Sequence, residues 1–314
     1  MTAAFTFPGQ GSQAVGMGRA LAETFMPARA VFEEVDSALG EKLSAIMWDG
    51  PIEKLTLTEN TQPGLMAVSI AVIRVLEAEA GLDLKRDAKF VAGHSLGEYS
   101  ALAAAGAISV GDAARLLRTR GLSMQKAVPV GEGAMAALLG LSFEDAAAAA
   151  KEAAMDQVCQ VANDNGAGQV VISGHKAAVE RGCEIAKAKG AKRAMMLNVS
   201  APFHCSLMQP AADAMADALS KVSVKAPVVP VVANVRASAI SDPKDIVGAL
   251  VAQVTGTVRW RECVSAMAAQ GVTTFYEAGS GKVLTGLVKR IADGATGIAI
   301  GTPDDIAAFK AARG

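Results

Sequence analysis

The sequence predicts an α/β fold with a smaller domain inserted into it. Short apolar runs alternate with longer helical patterns along the 314 residues, as expected when strands feed helices that pack back on a parallel sheet. One internal stretch departs from that rhythm. The first strand spans Ala4–Phe7 and is stopped by Pro8-Gly9, and helical periodicity follows over Met17–Phe25 and Ala28–Leu39. Gln62-Pro63 reads as a break before a helix over Gly64–Ala80, followed by a strand at Phe90–Gly93, a tight turn, and helices over Glu98–Ala105 and Asp112–Lys126. Residues 226–235 read as a buried strand and Val272–Tyr276 as another, each leading into helical sequence.

The departing stretch begins at Gly133. A strand (Ala134–Leu141) precedes a helix opened by the capping pattern Ser142-x-x-Asp145. Strands Val158–Asn163 and Gln169–Ser173, a helix Lys176–Lys189 and a strand Lys192–Asn198 follow. The order βαββαβ is the ferredoxin-like arrangement. The expected division is a large α/β domain from residues 1–127 and 198–314, interrupted by a small ferredoxin-like domain over 128–197.

Composition narrows the function. Hydrophobic residues form 51% of the chain and charged ones 19%, with 30 Lys and Arg against 31 Asp and Glu. A net charge of −1 gives no general field for nucleic acid, although a local basic patch for an acidic partner stays open. Mean hydropathy is positive, but alanine supplies most of the excess and no run of ~18 apolar residues signals a membrane span. Met1–Pro8 lacks the basic stretch and apolar core of a signal peptide, so a cytoplasmic protein is expected. Four cysteines without a C-x-x-C pair read as reduced thiols, and three histidines make a histidine metal centre a poor expectation.

Gly93-His94-Ser95-Leu96-Gly97 is the strongest local signal. A G-x-S-x-G between a strand and a helix lifts the serine oxygen out of a sharp turn, and the N–H of Leu96 then points where an oxyanion would form. A serine hydroxyl needs a base within reach. His94 adjoins the serine and leaves the turn in another direction, and His175 opens a small-domain helix as a surface or capping residue. Elimination leaves His204, in Ser200-Ala-Pro-Phe-His204-Cys205, as the base. No acid stands out as a third member, so a main-chain carbonyl is an alternative partner for the imidazole.

Three further segments stay ambiguous or fail. Phe7-Pro-Gly-Gln10-Gly-Ser-Gln13 ends the first strand, and composition does not decide between a plain loop and one whose N–H groups complete an oxyanion hole with Leu96. Arg120 ends a run of helical arginines ahead of Gly121 and an apolar segment, which alone does not make a site. Glu277-Ala-Gly-Ser-Gly-Lys282 lacks the first glycine and the final Ser or Thr of a phosphate loop, so an NTPase is rejected.

Together, Phe-Pro-Gly-Gln-Gly-Ser-Gln at 7–13, Gly-His-Ser-Leu-Gly-Glu at 93–98, Arg-Gly-x-x-Met-Gln at 120–125 and Ala-Pro-Phe-His at 201–204 resemble the malonyl-CoA:acyl carrier protein transacylase family. The resemblance runs through Asn163-x-Asn165-x-x-x-Gln169 and Glu277-x-Gly279-x-Gly281-Lys282, and so covers nearly the whole chain. Two departures are Cys205, where serine is usual, and Ala167, where proline is common.

The resemblance implies an α/β-hydrolase-like large domain with a ferredoxin-like insert. It implies that Ser95 is the acylated nucleophile, His204 its base, the main-chain carbonyl of Gln253 the group orienting that base, and the N–H groups of Gln10 and Leu96 the oxyanion hole. Arg120 would bind the malonyl carboxylate, malonyl-CoA and acyl carrier protein would be substrate and partner, and no metal or redox cofactor would be required. Lys187, Lys189, Lys192 and Arg193 are candidates for docking the acidic carrier, beside their plain reading as a solvated face. A serine esterase that uses water, and a carrier-binding protein without catalysis, are the alternatives; Arg120, implied to bind a carboxylate, speaks against the first, and an intact Ser95 and His204 against the second.

Overall fold

The computed structural model describes residues 2–313. Among the described residues ten strands form two sheets: β1 (Ala3–Phe7), β2 (Phe90–Gly93), β7 (Val231–Ala233), β8 (Ser238–Ile240), β9 (Thr274–Ala278) and β10 (Thr296–Ile300) in one, and β3 (Gly133–Leu139), β4 (Cys159–Asp164), β5 (Gln169–His175) and β6 (Arg193–Met196) in the other. The larger sheet has the order β10-β9-β1-β2-β7-β8, parallel throughout except for the β7–β8 hairpin. β1 is buried at every residue, as a central parallel strand covered on both faces must be. Its register against β2 pairs Phe7 with Gly93. The loop after β1 and the serine turn after β2 therefore leave the sheet side by side at its carboxyl edge, where open parallel sheets bind ligands.

The smaller sheet is antiparallel with the order β4-β5-β3-β6. Helices Phe143–Ala154 and Lys176–Ala188 cover one face, burying Leu138, Ala146, Ala149 and Ile172 in a core of their own. The Ser142 hydroxyl caps the first helix by accepting the N–H of Asp145. β4 is stitched to the large sheet's side: Thr257 Oγ1 donates to Val161 O at 2.7 Å, Asn163 bridges Val258, and Asp164, buried, pairs with Arg261 at 2.7 Å.

Several element boundaries differ from the sequence reading. Gln62-Pro63 does not break the chain, since one helix spans Thr58–Ala80 and is buried along most of its length. Its first turn is anchored by side chains, Asn60 Nδ2 on Lys54 O and Thr61 Oγ1 on Leu55 O, so packing overrides the single N–H that proline removes. Of residues 226–235 only Val231–Ala233 pair as a strand; Pro227 and Pro230 cannot donate to a ladder. The edge strands β8 and β10 are additional. His175 stands at the start of its helix but caps nothing, and its Nδ1 instead accepts the N–H of Val158 at 2.9 Å. Among the described residues no helix is long and apolar enough to cross a membrane.

Candidate active site

The turn after β2 is built on two close backbone approaches. A methyl group at Gly93 would lie 1.9 Å from the carbonyl carbon of Gly97, and one at Gly97 would lie 2.3 Å from Phe7 O. Only glycine fits at either place, and between them Ser95 takes a left-handed conformation with φ of 52°. The short helix Gly97–Ala104 starts immediately after, with the serine at its amino end.

Asn234, the residue following β7, fixes this turn. Its Oδ1 accepts Ser95 N–H at 2.8 Å while its Nδ2 donates to Gly93 O at 2.8 Å. The serine is thus held from the neighbouring strand, leaving its side chain to face the cavity. Ser95 Oγ lies 2.8 Å from His204 Nε2, and His204 Nδ1 lies 2.8 Å from Gln253 O. A carbonyl can only accept, so Nδ1 carries the proton and Nε2 presents its lone pair to the hydroxyl. Burial, and next the Arg120 charge, pull the imidazole down to about 3, which keeps it neutral across the physiological range. His204 itself has φ of 59°, a strained conformation that aims its ring at the serine.

Arg120 is 1% exposed. Its helix, Val110–Lys126, approaches the helix beginning at Thr58 so closely that a methyl at Gly121 would lie 2.6 Å from Glu59 Cα. Glycine after the arginine is what lets the side chain reach the site. Arg120 Nη1 donates to Gln62 Oε1 at 2.8 Å, and Nη2 to Gln253 Oε1 at 2.9 Å and to Ser95 Oγ at 3.1 Å. Three of the five guanidinium N–H groups are so engaged; burial lowers its proton affinity without depriving it of its charge. Its Nε has no protein partner among the described residues.

These groups line a cavity of about 380 Å³ between the two sheets. Gln10 and Leu96 line it from the large sheet, and Asn163, Asn165 and Gln169 from the small one. Neither Gln10 N–H nor Leu96 N–H meets a protein acceptor among the described residues, so both donors are open to a bound group. The Gln10 side chain is tied to Thr58 Oγ1 at 3.3 Å, which also contacts Ser200 Oγ at 3.2 Å, linking the first loop to the segment that carries His204.

His94 points away from the serine, as the sequence reading has it. Its Nε2 lies 2.9 Å from Asn165 Oδ1, and burial lowers its pKa. The Glu277–Lys282 segment closes no phosphate loop: the Glu277 carboxylate accepts the N–H groups of Leu284 and Thr285 and the Thr285 hydroxyl. Cys205 Sγ donates to Pro202 O at 3.2 Å, and Ala167 adopts φ of 51°. Of the four cations proposed for docking, Lys187 and Lys189 pair with Glu184 and Glu152.

The sequence reading missed Asn234, Gln62 and the side chain of Gln253. Asn234 had a usable signal, the one polar side chain within the apolar run 226–235. Gln62 had none, hidden in what reads as a break.

A serine at a strand-to-helix turn, a neutral imidazole on its hydroxyl, two open N–H donors and a buried arginine define an acyltransferase of the serine-nucleophile class. The acyl transferase domain family matches residues 4–300. The malonyl CoA-acyl carrier protein transacylase of Escherichia coli K12 is 50% identical over 305 residues, 97% of each chain. The acyl-carrier-protein S-malonyltransferase of Bartonella henselae superposes with a TM-score of 0.97 at 58% identity, over 100% of this chain and 99% of that one. A malonyl-transacylase solved in complex with its holo acyl-carrier protein from a type II polyketide system superposes at 0.96, with 43% identity over 99% of this chain and 100% of its own. The chain belongs to the malonyl CoA-acyl carrier protein transacylase family.

Proposed function

We propose that the protein transfers the malonyl group of malonyl-CoA to the phosphopantetheine thiol of acyl carrier protein through a malonyl-Ser95 intermediate, supplying fatty acid biosynthesis in the cytoplasm. Ser95 Oγ attacks the thioester carbon as its proton passes to His204 Nε2. The tetrahedral oxyanion is held by the N–H groups of Gln10 and Leu96, each worth ~3 kcal/mol in comparable sites. The intermediate collapses with loss of the CoA sulfur, which takes the proton back from the imidazolium. The carrier thiol then gives its proton to His204, attacks the acyl-serine, and Ser95 is regenerated. The Gln253 carbonyl holds the imidazole in the tautomer that both halves need. No metal or redox cofactor enters this reading, because no step changes oxidation state and the two N–H donors take the role of a Lewis acid.

The observation that carries the reading is Arg120, buried and 3.1 Å from the nucleophile. A planar guanidinium meets a carboxylate with two parallel hydrogen bonds. An acyl group that ends in a carboxylate is what such a residue selects, and an esterase for neutral esters has no use for it. The test supplies malonyl-CoA with holo acyl carrier protein and follows malonyl-carrier and free malonate together by mass spectrometry. Malonyl-carrier as the dominant product supports transfer; free malonate formed at the same rate with and without carrier would make the protein a hydrolase.

A further inference from the structure

Glu98, in the first turn of the helix after the nucleophile, is 1% exposed, and no step of the acyl transfer uses it. Its Oε2 accepts two N–H groups at 2.9 Å, from the main chain of Asn234 and from Gln253 Nε2. The same Nε2 lies 3.1 Å from Ser95 O, and the other end of that amide, Oε1, lies 2.9 Å from Arg120 Nη2. An amide has one donating and one accepting end. Flipped, Gln253 would set its oxygen against a carboxylate and a carbonyl, and its NH₂ against a guanidinium. Only one orientation satisfies all three neighbours, and the carboxylate, which offers no competing donor, is the strongest acceptor among them.

We propose that Glu98 is a positioning residue for acyl transfer: by fixing the orientation of the Gln253 amide it holds the Arg120 guanidinium turned toward the acyl group beside Ser95. The inference rests on Arg120 as the reader of the malonyl carboxylate. What Glu98 supplies is an acceptor oxygen at one point, and the amide oxygen of glutamine can occupy that point. Burial pushes the Glu98 carboxyl up to about 7; both accepted bonds fall on Oε2, so a proton on the other oxygen leaves that acceptor in place. Removing the acceptor frees the Gln253 amide to turn and leaves the Asn234 N–H unpaired, and a guanidinium without its amide contact loses its fixed direction.

The test is competition between malonyl-CoA and acetyl-CoA for acylation of Ser95, read by intact-protein mass spectrometry. Wild type, Glu98→Leu, Glu98→Gln, Gln253→Met and Arg120→Ala are compared. Glu98→Leu and Gln253→Met are expected to lower the malonyl-to-acetyl ratio at least about tenfold, the scale of one hydrogen bond to a charged group, with Glu98→Gln restoring it to within about threefold. A residue that only supports the fold would depress both acyl groups alike. Gln253→Met keeps the inference exposed even where Glu98→Leu fails to fold. Ratios at the wild-type level in Gln253→Met, or a Glu98→Gln protein as impaired as Glu98→Leu, would overturn it. Equal malonyl and acetyl losses in Arg120→Ala would sink the arginine reading and this inference with it. A collapsed ratio in Arg120→Ala beside intact ratios at Glu98 and Gln253 would remove the inference alone.

Discussion

Replacing Gly97 by alanine sets a methyl group 2.3 Å from Phe7 O and 3.0 Å from Pro8 O. Both are backbone atoms, so no side chain can swing aside. Relief to an ordinary contact requires the loop that follows β1 to retreat by about 1 Å, and misplacements of that size cost ~100-fold in rate where a reacting group is positioned. The displaced segment carries Gln10, whose N–H is one of two oxyanion donors in the proposed mechanism. Stability should suffer less. Overpacking costs ~1–3 kcal/mol, while alanine in place of glycine at a helical position returns ~1 kcal/mol. A net loss of ~0–2 kcal/mol lowers the melting temperature by only a few degrees in a chain of this size. The assay pairs quench-flow malonyl loading with a thermal melt. Loading slowed ~100-fold with a melting temperature within about 8 °C of wild type is expected. Wild-type loading would refute the claim that this glycine sets the oxyanion loop, and a loss only in proportion to unfolding would reduce its role to folding.

Three further outcomes are expected. Arg120→Ala should suppress malonyl loading by ~2–5 kcal/mol, roughly 30-fold to several thousand-fold, while sparing acetyl; the ratio is the readout, because the orphaned oxygens of Gln62 and Gln253 also weaken the fold. Phe203, 9% exposed and lining the cavity, is expected to crowd an extra methyl group, and since one methyl is worth ~1–3 kcal/mol in a hydrophobic pocket, Phe203→Ser should raise methylmalonyl loading modestly without inverting preference. Neutral His204 is the active form and its pKa is drawn down to about 3, so kcat/KM for loading should fall only as pH drops toward that value and not through the ordinary histidine range. Measured in a Glu98→Gln background, where no carboxyl near 7 can titrate, an acid limb near 6.5 would show a solvated histidine; Arg120→Ala, which removes one cause of the shift, should move the limb upward.

What could be read in the sequence was what local pattern encodes. The serine turn is a contiguous strand, small-residue and helix signal, and its two glycines are explained by contacts within a few residues or to the adjacent strand. His204 was reachable because only three histidines exist. The carbonyl of Gln253 has no side-chain signature, so it came only with the family resemblance. Asn234 and Glu98 act through bonds that join residues 136 and more positions apart, which no periodicity reports. Gln62 was obscured by Pro63, whose cost to the helix is outweighed by burial on all sides. The run 226–235 shows the opposite error, apolar enough for a strand but with prolines that leave only Val231–Ala233 paired.

The central claim is a covalent malonyl-Ser95 that hands its acyl group to a thiol. Protein mixed with malonyl-CoA, quenched in acid, digested and sequenced by mass spectrometry should carry one malonyl group on the peptide containing Ser95, and adding holo acyl carrier protein before the quench should discharge it faster than buffer does. Ser95→Ala, which removes one half-buried oxygen from the turn, should carry none. A malonylated Ser95→Ala protein, or an adduct that water discharges as fast as the carrier thiol, would contradict the account.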